Sequence, residues 1–205
     1  MKKLLVFASG TKDGGGSGFE NLAKNLTEAE VVGVVSNHEN GGVREKADRL
    51  GIPFINFPGP YDAEHYQKIV RDTGAEFVAL SGWLKLIAGL DPKTTFNIHP
   101  GPLPEFGGKG LWGHHVHEAV LKAFKEGKIQ HSAVSMHFVT PEFDEGPVFF
   151  THPVPIEPDD TVDTLATRVN VAEHEWQPKI TDKLVRGEIS WDGKDATSLK
   201  GASAS

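Results

Sequence analysis

The stretch KLLVFASGTKDGGGSGFENLAKNLTEAEVVGVVS, residues 3–36, decides the fold. KLLVFA (3–8) and VVGVVS (31–36) are short apolar runs without strict alternation, the pattern of strands buried on both faces of a parallel sheet. Residues 19–26 between them read as a helix. The alternation continues, with strands at IPFINF (52–57) and EFVALS (76–81) and helices at 43–50 and 63–72. This is a doubly wound α/β pattern. A helix is predicted at about 117–124, and a long helical region follows near the C-terminus. There Val162, Leu165, Val169, Ala172 and Trp176 recur at helical spacing. Pro178 is expected to end or kink that helix, with Ile180 and Leu184 on the next piece. Residues 1–194 read as a single domain and 195–205 as a disordered tail.

At 205 residues the chain can build one full core. Its net charge of −7 argues against nucleic acid or an anionic membrane as the main partner, while leaving room for a local phosphate site. The absence of cysteine excludes disulfides, thiolate chemistry and Cys-type zinc sites. LLVFA after Lys2 and Lys3 is too short for a signal peptide, and no apolar run reaches membrane-spanning length. A cytoplasmic protein is expected.

Two segments carry the chemistry. NIHPGPLPEF (97–106) puts the Asn97 amide and the His99 imidazole two residues apart, on one face of a strand. Pro100, Pro102 and Pro104 predict an extended, stiff continuation. Such a pair suits polarising a carbonyl and stabilising an oxyanion, and it equally fits a strand end with satisfied polar groups. SAVSMHFVTPEFDEGPVFF (132–150) reads as strand, tight loop, strand. Val134, Met136 and Phe138 alternate with Ser135 and His137 as in a half-buried strand, and His137 reads as a structural residue of it or as a support behind the catalytic groups. Asp144 in the loop can orient an imidazole and favour its charged form.

Gly14, Gly15, Gly16 and Gly18 sit before the first helix, as in an anion-binding loop or a flexible connection. Their spacing matches neither the dinucleotide fingerprint nor the P-loop. SGWLKLI (81–87) follows a strand end, where apolar residues line a ligand crevice or simply pack. His114, His115 and His117 invite a metal reading, but the spacing and the lack of partner ligands favour a polar loop leading into a helix. Glu173 lies one turn beyond Val169, at the edge of the apolar stripe.

Asn97, His99 and Pro100 with Leu103 and Pro104, then HFVTPEFDEGP (137–147), then RVNVAEHEWQP (168–178) form an ordered set of motifs. Through them the chain resembles the folate-dependent formyltransferases over about residues 3–191, most closely those acting on glycinamide ribonucleotide in purine synthesis. The resemblance implies a Rossmann-like formyltransferase fold, a largely parallel seven-stranded sheet with helices on both faces. It implies transfer of a formyl group from 10-formyltetrahydrofolate to a primary amine, without metal. Asn97 and the His99 imidazolium would stabilise the oxyanion, while Asp144 raises the His99 pKa and positions a proton-shuttling water. The ribonucleotide would be held by Gly16, Ser17, Gly18, Asn170 and Glu173. Folate would be held by Leu84, Lys85, Leu86, Ile87, Asn97, Thr140, Pro141, Glu142, Phe143 and Asp144.

The chain also departs from the family. TKDGG (11–15) looks inserted, Gly18 stands where many relatives carry Asn, and Lys85 stands where close bacterial relatives often have Arg. Residues 60–66 offer no Arg for the folate tail. The implied partners are the two small substrates, with no nucleic acid or membrane, in a monomer or homodimer. The alternatives are a formyltransferase with another acceptor, such as an amino-sugar nucleotide, or a non-catalytic folate- or nucleotide-binding module.

Overall fold

In the computed structural model, which describes residues 1–12 and 14–204, parallel strands alternate with helices through the first half of the chain. These are β1 (Lys2–Phe7), α1 (Ser17–Asn25), β2 (Ala29–Ser36), α2 (Gly42–Leu50), β3 (Phe54–Asn56), α3 (Ala63–Thr73) and β4 (Phe77–Leu80). The second half holds β5 (Thr95–His99), α4 (His114–Lys125), β6 (His131–Phe138), β7 (Val148–Pro155) and α5 (Val162–Val185). The sheet order is β3-β2-β1-β4-β5-β6-β7, parallel through β5 and antiparallel after it. These are the seven strands of the expected fold. The two-residue strand β8 (Ser203–Ala204) adds to the β7 edge.

Successive residues of the central strands feed opposite faces, as a period of two requires. Leu4 and Val6 join a core built with α1, α2, α4 and α5, whereas Leu5 and Phe7 join a second core with Tyr66 of α3 and Trp83. The strand order reverses between β1 and β4, and this is the point where open α/β sheets bind ligands, beyond the carboxyl ends of the strands.

Four expectations need correction. First, β6 is not half-buried: Ser135 and His137 are as enclosed as their apolar neighbours, because β6 is an interior strand between β5 and β7. Ser135 Oγ donates to the Gly101 carbonyl at 2.8 Å, which makes its burial tolerable. Second, the segment after His99 is turned rather than extended. Phe106 N–H donates to Pro102 O at 2.9 Å, and Gly107 N–H to Pro104 O at 3.3 Å. The prolines fix φ, and that value serves a turn as well as a strand.

Third, α5 does not end at Pro178 but continues beyond it to Val185. Pro178 cannot donate to the His174 carbonyl one turn back, but Asn21 Nδ2 of α1 does so instead, at 2.8 Å. Fourth, the segment from Asp195 is not a structureless tail. Asp195 caps a 3₁₀ turn (Ala196–Ser198), Trp191 Nε1 donates to Asp195 O at 2.8 Å, and Lys200 bridges to Ser190. Asp13 of the apparent insertion and Ser205 lie outside the described residues. No helix among the described residues is long and apolar enough to cross a membrane.

Candidate active site

β1, β4 and β5 end on one rim of the sheet, and the loops leaving them wall a cavity of about 320 Å³. Its floor includes Asn97 and His99, which share a face of β5 as their spacing predicts. One wall is the glycine loop and the start of α1, with Gly16, Ser17 and Gly18. The opposite wall is α5, with Asn170, Glu173, His174 and Gln177 recurring at helical spacing. α5 is fixed at its start by Thr161, whose side chain caps the helix, and by Asp160, which Arg168 grips with two guanidinium nitrogens. Arg168, first residue of the third motif, is therefore an anchor of the wall and not part of the cavity lining.

A smaller recess of about 40 Å³ adjoins the cavity and shares Trp83, Asn97, Phe143 and Asp144 with it. Lys85, Leu86, Ile87, Thr140 and Glu142 also line this recess, with Leu80, His137 and Val139. The ribonucleotide residues implied by the resemblance thus surround one space and most of the folate residues the other. Leu84 faces the larger cavity, and Pro141 lines neither. The Lys85 ammonium lies 5.5 Å from the centre of the Tyr61 ring, so residues 60–66 do approach this run, through an aromatic contact.

Asp144 stands where the two spaces meet. It has φ of 56°, the one non-glycine positive φ among the described residues. This is a conformation that Asp tolerates but that surrounding contacts must hold. Gly108 N–H donates to Asp144 Oδ2 at 3.0 Å, and Asn97 Nδ2 donates to Oδ1 at 3.3 Å. His99 Nδ1 lies 3.7 Å from Oδ2, and His137 Nε2 lies 3.3 Å from Oδ1. Burial works to raise the Asp144 pKa, but His137, His99 and the Gly108 N–H outweigh it and hold the carboxyl below its ordinary range.

For His99 the balance goes the other way. Burial lowers its pKa, and the upward pull of Asp144 and of the Phe106 carbonyl does not compensate. Asp144 pulls the His99 pKa upward as expected, but on a 3% exposed ring the desolvation penalty is larger and the net shift is downward. The turn after β5 matters here, since it brings Phe106 O within 2.8 Å of His99 Nε2 and fixes the ring.

His137 takes the supporting place behind Asn97 and Asp144 that the sequence allowed for it. Its Nδ1 faces Phe138 O at 2.9 Å and its Nε2 faces Asn97 Nδ2 at 3.1 Å, so it can orient the Asn97 amide beside Asp144. Glu173 is half-buried and bonded by Asn170 Nδ2 at 3.2 Å, and burial pushes its pKa up to about 7. His114, His115 and His117 stand on α4 itself rather than on a loop before it. His117 is buried, and burial together with His114 and His99 lowers its pKa to about 4. Among the described residues no group of three or more His, Cys, Asp or Glu side chains is placed to hold a metal ion.

A cleft at the reversal point of a doubly wound sheet, with an amide, an imidazole and a carboxylate where two ligand spaces join, defines a group-transfer site. The chain belongs to the formyl transferase family, whose model matches residues 2–181. It is 37% identical to the chloroplastic phosphoribosylglycinamide formyltransferase of Arabidopsis thaliana, over 93% of this chain and 68% of that protein. Against the phosphoribosylglycinamide formyltransferase of Bacillus subtilis (strain 168) it is 31% identical, over 92% of this chain and 99% of the relative. The crystal structure of the phosphoribosylglycinamide formyltransferase from Streptococcus pneumoniae TIGR4 superposes with a TM-score of 0.74 at 30% identity, covering 90% of this chain and 99% of that one.

Proposed function

We propose that the protein moves the formyl group of 10-formyltetrahydrofolate onto the primary amine of glycinamide ribonucleotide, in the cytoplasm, as a step of purine synthesis. The observation that carries this reading is the placing of Asn97 and Asp144 on the seam between two adjoining spaces. An acceptor on one side and a formyl donor on the other would meet there. The names of the relatives support the same acceptor and the transfer of a formyl group.

The amine nitrogen attacks the formyl carbon, and the carbonyl oxygen takes on negative charge. The Asn97 N–H now spent on Asp144, through a long bond of 3.3 Å, is the one free to turn to that oxygen. The growing negative charge favours the His99 imidazolium, whose Nδ1, facing Asp144, takes up the proton that the attacking amine loses. Collapse breaks the bond from carbon to folate N10. That proton passes from His99 to N10 through a water that donates a hydrogen bond to Asp144, which restores the neutral imidazole. No metal is needed, because an N10-formyl group is already activated and the site supplies position and field.

Incubation with 10-formyltetrahydrofolate and either glycinamide ribonucleotide or a panel of amino-sugar nucleotides tests the reading. Stoichiometric release of tetrahydrofolate with the ribonucleotide alone is expected, and formylation of a sugar nucleotide in its place would overturn it.

A further inference from the structure

Gln177 lies four residues after Glu173 and seven after Asn170, so it shares their face of α5 and lines the larger cavity. It is 1% exposed, yet its Nε2 has no hydrogen-bond partner among the described residues. An unpaired donor in a buried amide is costly to keep. The other end of the amide is oriented, since Oε1 accepts from Ser81 Oγ at 3.4 Å.

This amide sits against the first turn of α1. A Cβ placed on Gly18 would come within 2.1 Å of Ser81 Oγ and 3.2 Å of Gln177 Oε1. Glycine at 18 is therefore what lets these two polar groups reach the start of the helix. α1 itself begins without a side-chain cap, behind Gly16 at φ of 75°. Its first N–H groups and its positive dipole end face the same cavity wall.

We propose that Gln177 is a phosphate-binding residue, its Nε2 donating to the phosphomonoester drawn to the start of α1 while Ser81 holds the amide in place. The assignment rests on the reading of the larger cavity as the ribonucleotide site. Were the amide turned over, an acceptor would face the cavity, and a ribose hydroxyl rather than a phosphate would be its partner.

The test is calorimetry on the full chain with glycinamide ribonucleotide, with its dephosphorylated nucleoside and with a folate analogue. Wild type is compared with Gln177→Met and Gln177→Glu, after thermal melting has shown each fold intact. Gln177→Met should weaken ribonucleotide binding by about 10- to 100-fold, the loss expected for one hydrogen bond to a charged group. Gln177→Glu should weaken it further, because a carboxylate then faces the phosphate. Nucleoside and folate affinities should hold in both. Unchanged ribonucleotide binding in both variants, or equal losses for nucleotide and nucleoside, would overturn the phosphate assignment and leave the functional reading standing. A wild-type protein that binds no glycinamide ribonucleotide would bring down both.

Discussion

Asn97 holds the most consequential single hydrogen bond in the site, because its amide is shared between Asp144 and His137 before any substrate arrives. On the proposed mechanism that amide acts mainly when charge develops on the formyl oxygen. Asn97→Ala should therefore lower kcat by about 10²- to 10³-fold with a smaller change in KM, as for loss of one oxyanion donor. Near wild-type turnover would remove Asn97 from the oxyanion site. Glu173 makes a prediction about pH. Its folded pKa of about 7 lies above the ordinary 4.5, so the native state holds a proton that the unfolded state has released. Stability from this group is present below pH 4.5 and is lost as pH rises to about 7. Glu173→Gln should abolish that loss, so its advantage in Tm over wild type should grow between pH 5 and pH 8. A constant difference would show that Glu173 ionises normally. Spacing and turn chemistry made Asn97, His99 and Asp144 candidates, and the fold brings the three together. Gln177 gave no such signal, because the group that orients it, Ser81, is 96 residues away.

At the scale of the element, α5 shows how far local rules carry. Its apolar stripe was readable, and Leu165 and Val169 are fully buried as that stripe requires. Its continuity was not, since an interior proline costs a helix about 3 kcal/mol and nothing nearby in sequence offsets this. The compensation comes from α1, where Asn21 satisfies the carbonyl that Pro178 leaves open, 153 residues away. Asn21→Ala should leave that carbonyl unpaired and cost about 1–3 kcal/mol. In a Pro178→Ala background residue 178 regains its own N–H, and the Asn21 change should then cost clearly less. Denaturant melts of the four proteins form the double-mutant cycle that decides it. Equal costs in both backgrounds would mean that Asn21 does not repair the helix. The same logic explains β6, where alternation suggested one wet face. Only its place between β5 and β7 reveals that both faces are covered, and that place is a property of strand order rather than of the strand.

Across the whole molecule, the reversal of strand order between β1 and β4 brings three distant loops to one rim and makes two spaces meet at Asn97 and Asp144. If the larger space takes the phosphorylated acceptor and the smaller the folate, a charge placed at the start of α1 should disturb one ligand only. Ser17 is the first residue of that helix and is exposed, so a new side chain there meets no packing obstacle. A helix amino end carries roughly half a positive charge, and a carboxylate beside it stabilises the helix by about 0.3–1 kcal/mol. Ser17→Asp should therefore hold or raise Tm while its negative charge repels a phosphate dianion at the same N–H groups. The variant should bind glycinamide ribonucleotide weakly, bind a folate analogue as wild type does, and lose less of its affinity at high salt, where the repulsion is screened. Separate calorimetric titrations with each ligand at low and high ionic strength measure all three. Loss of folate binding with acceptor binding intact would mean that the two spaces have been assigned the wrong way round.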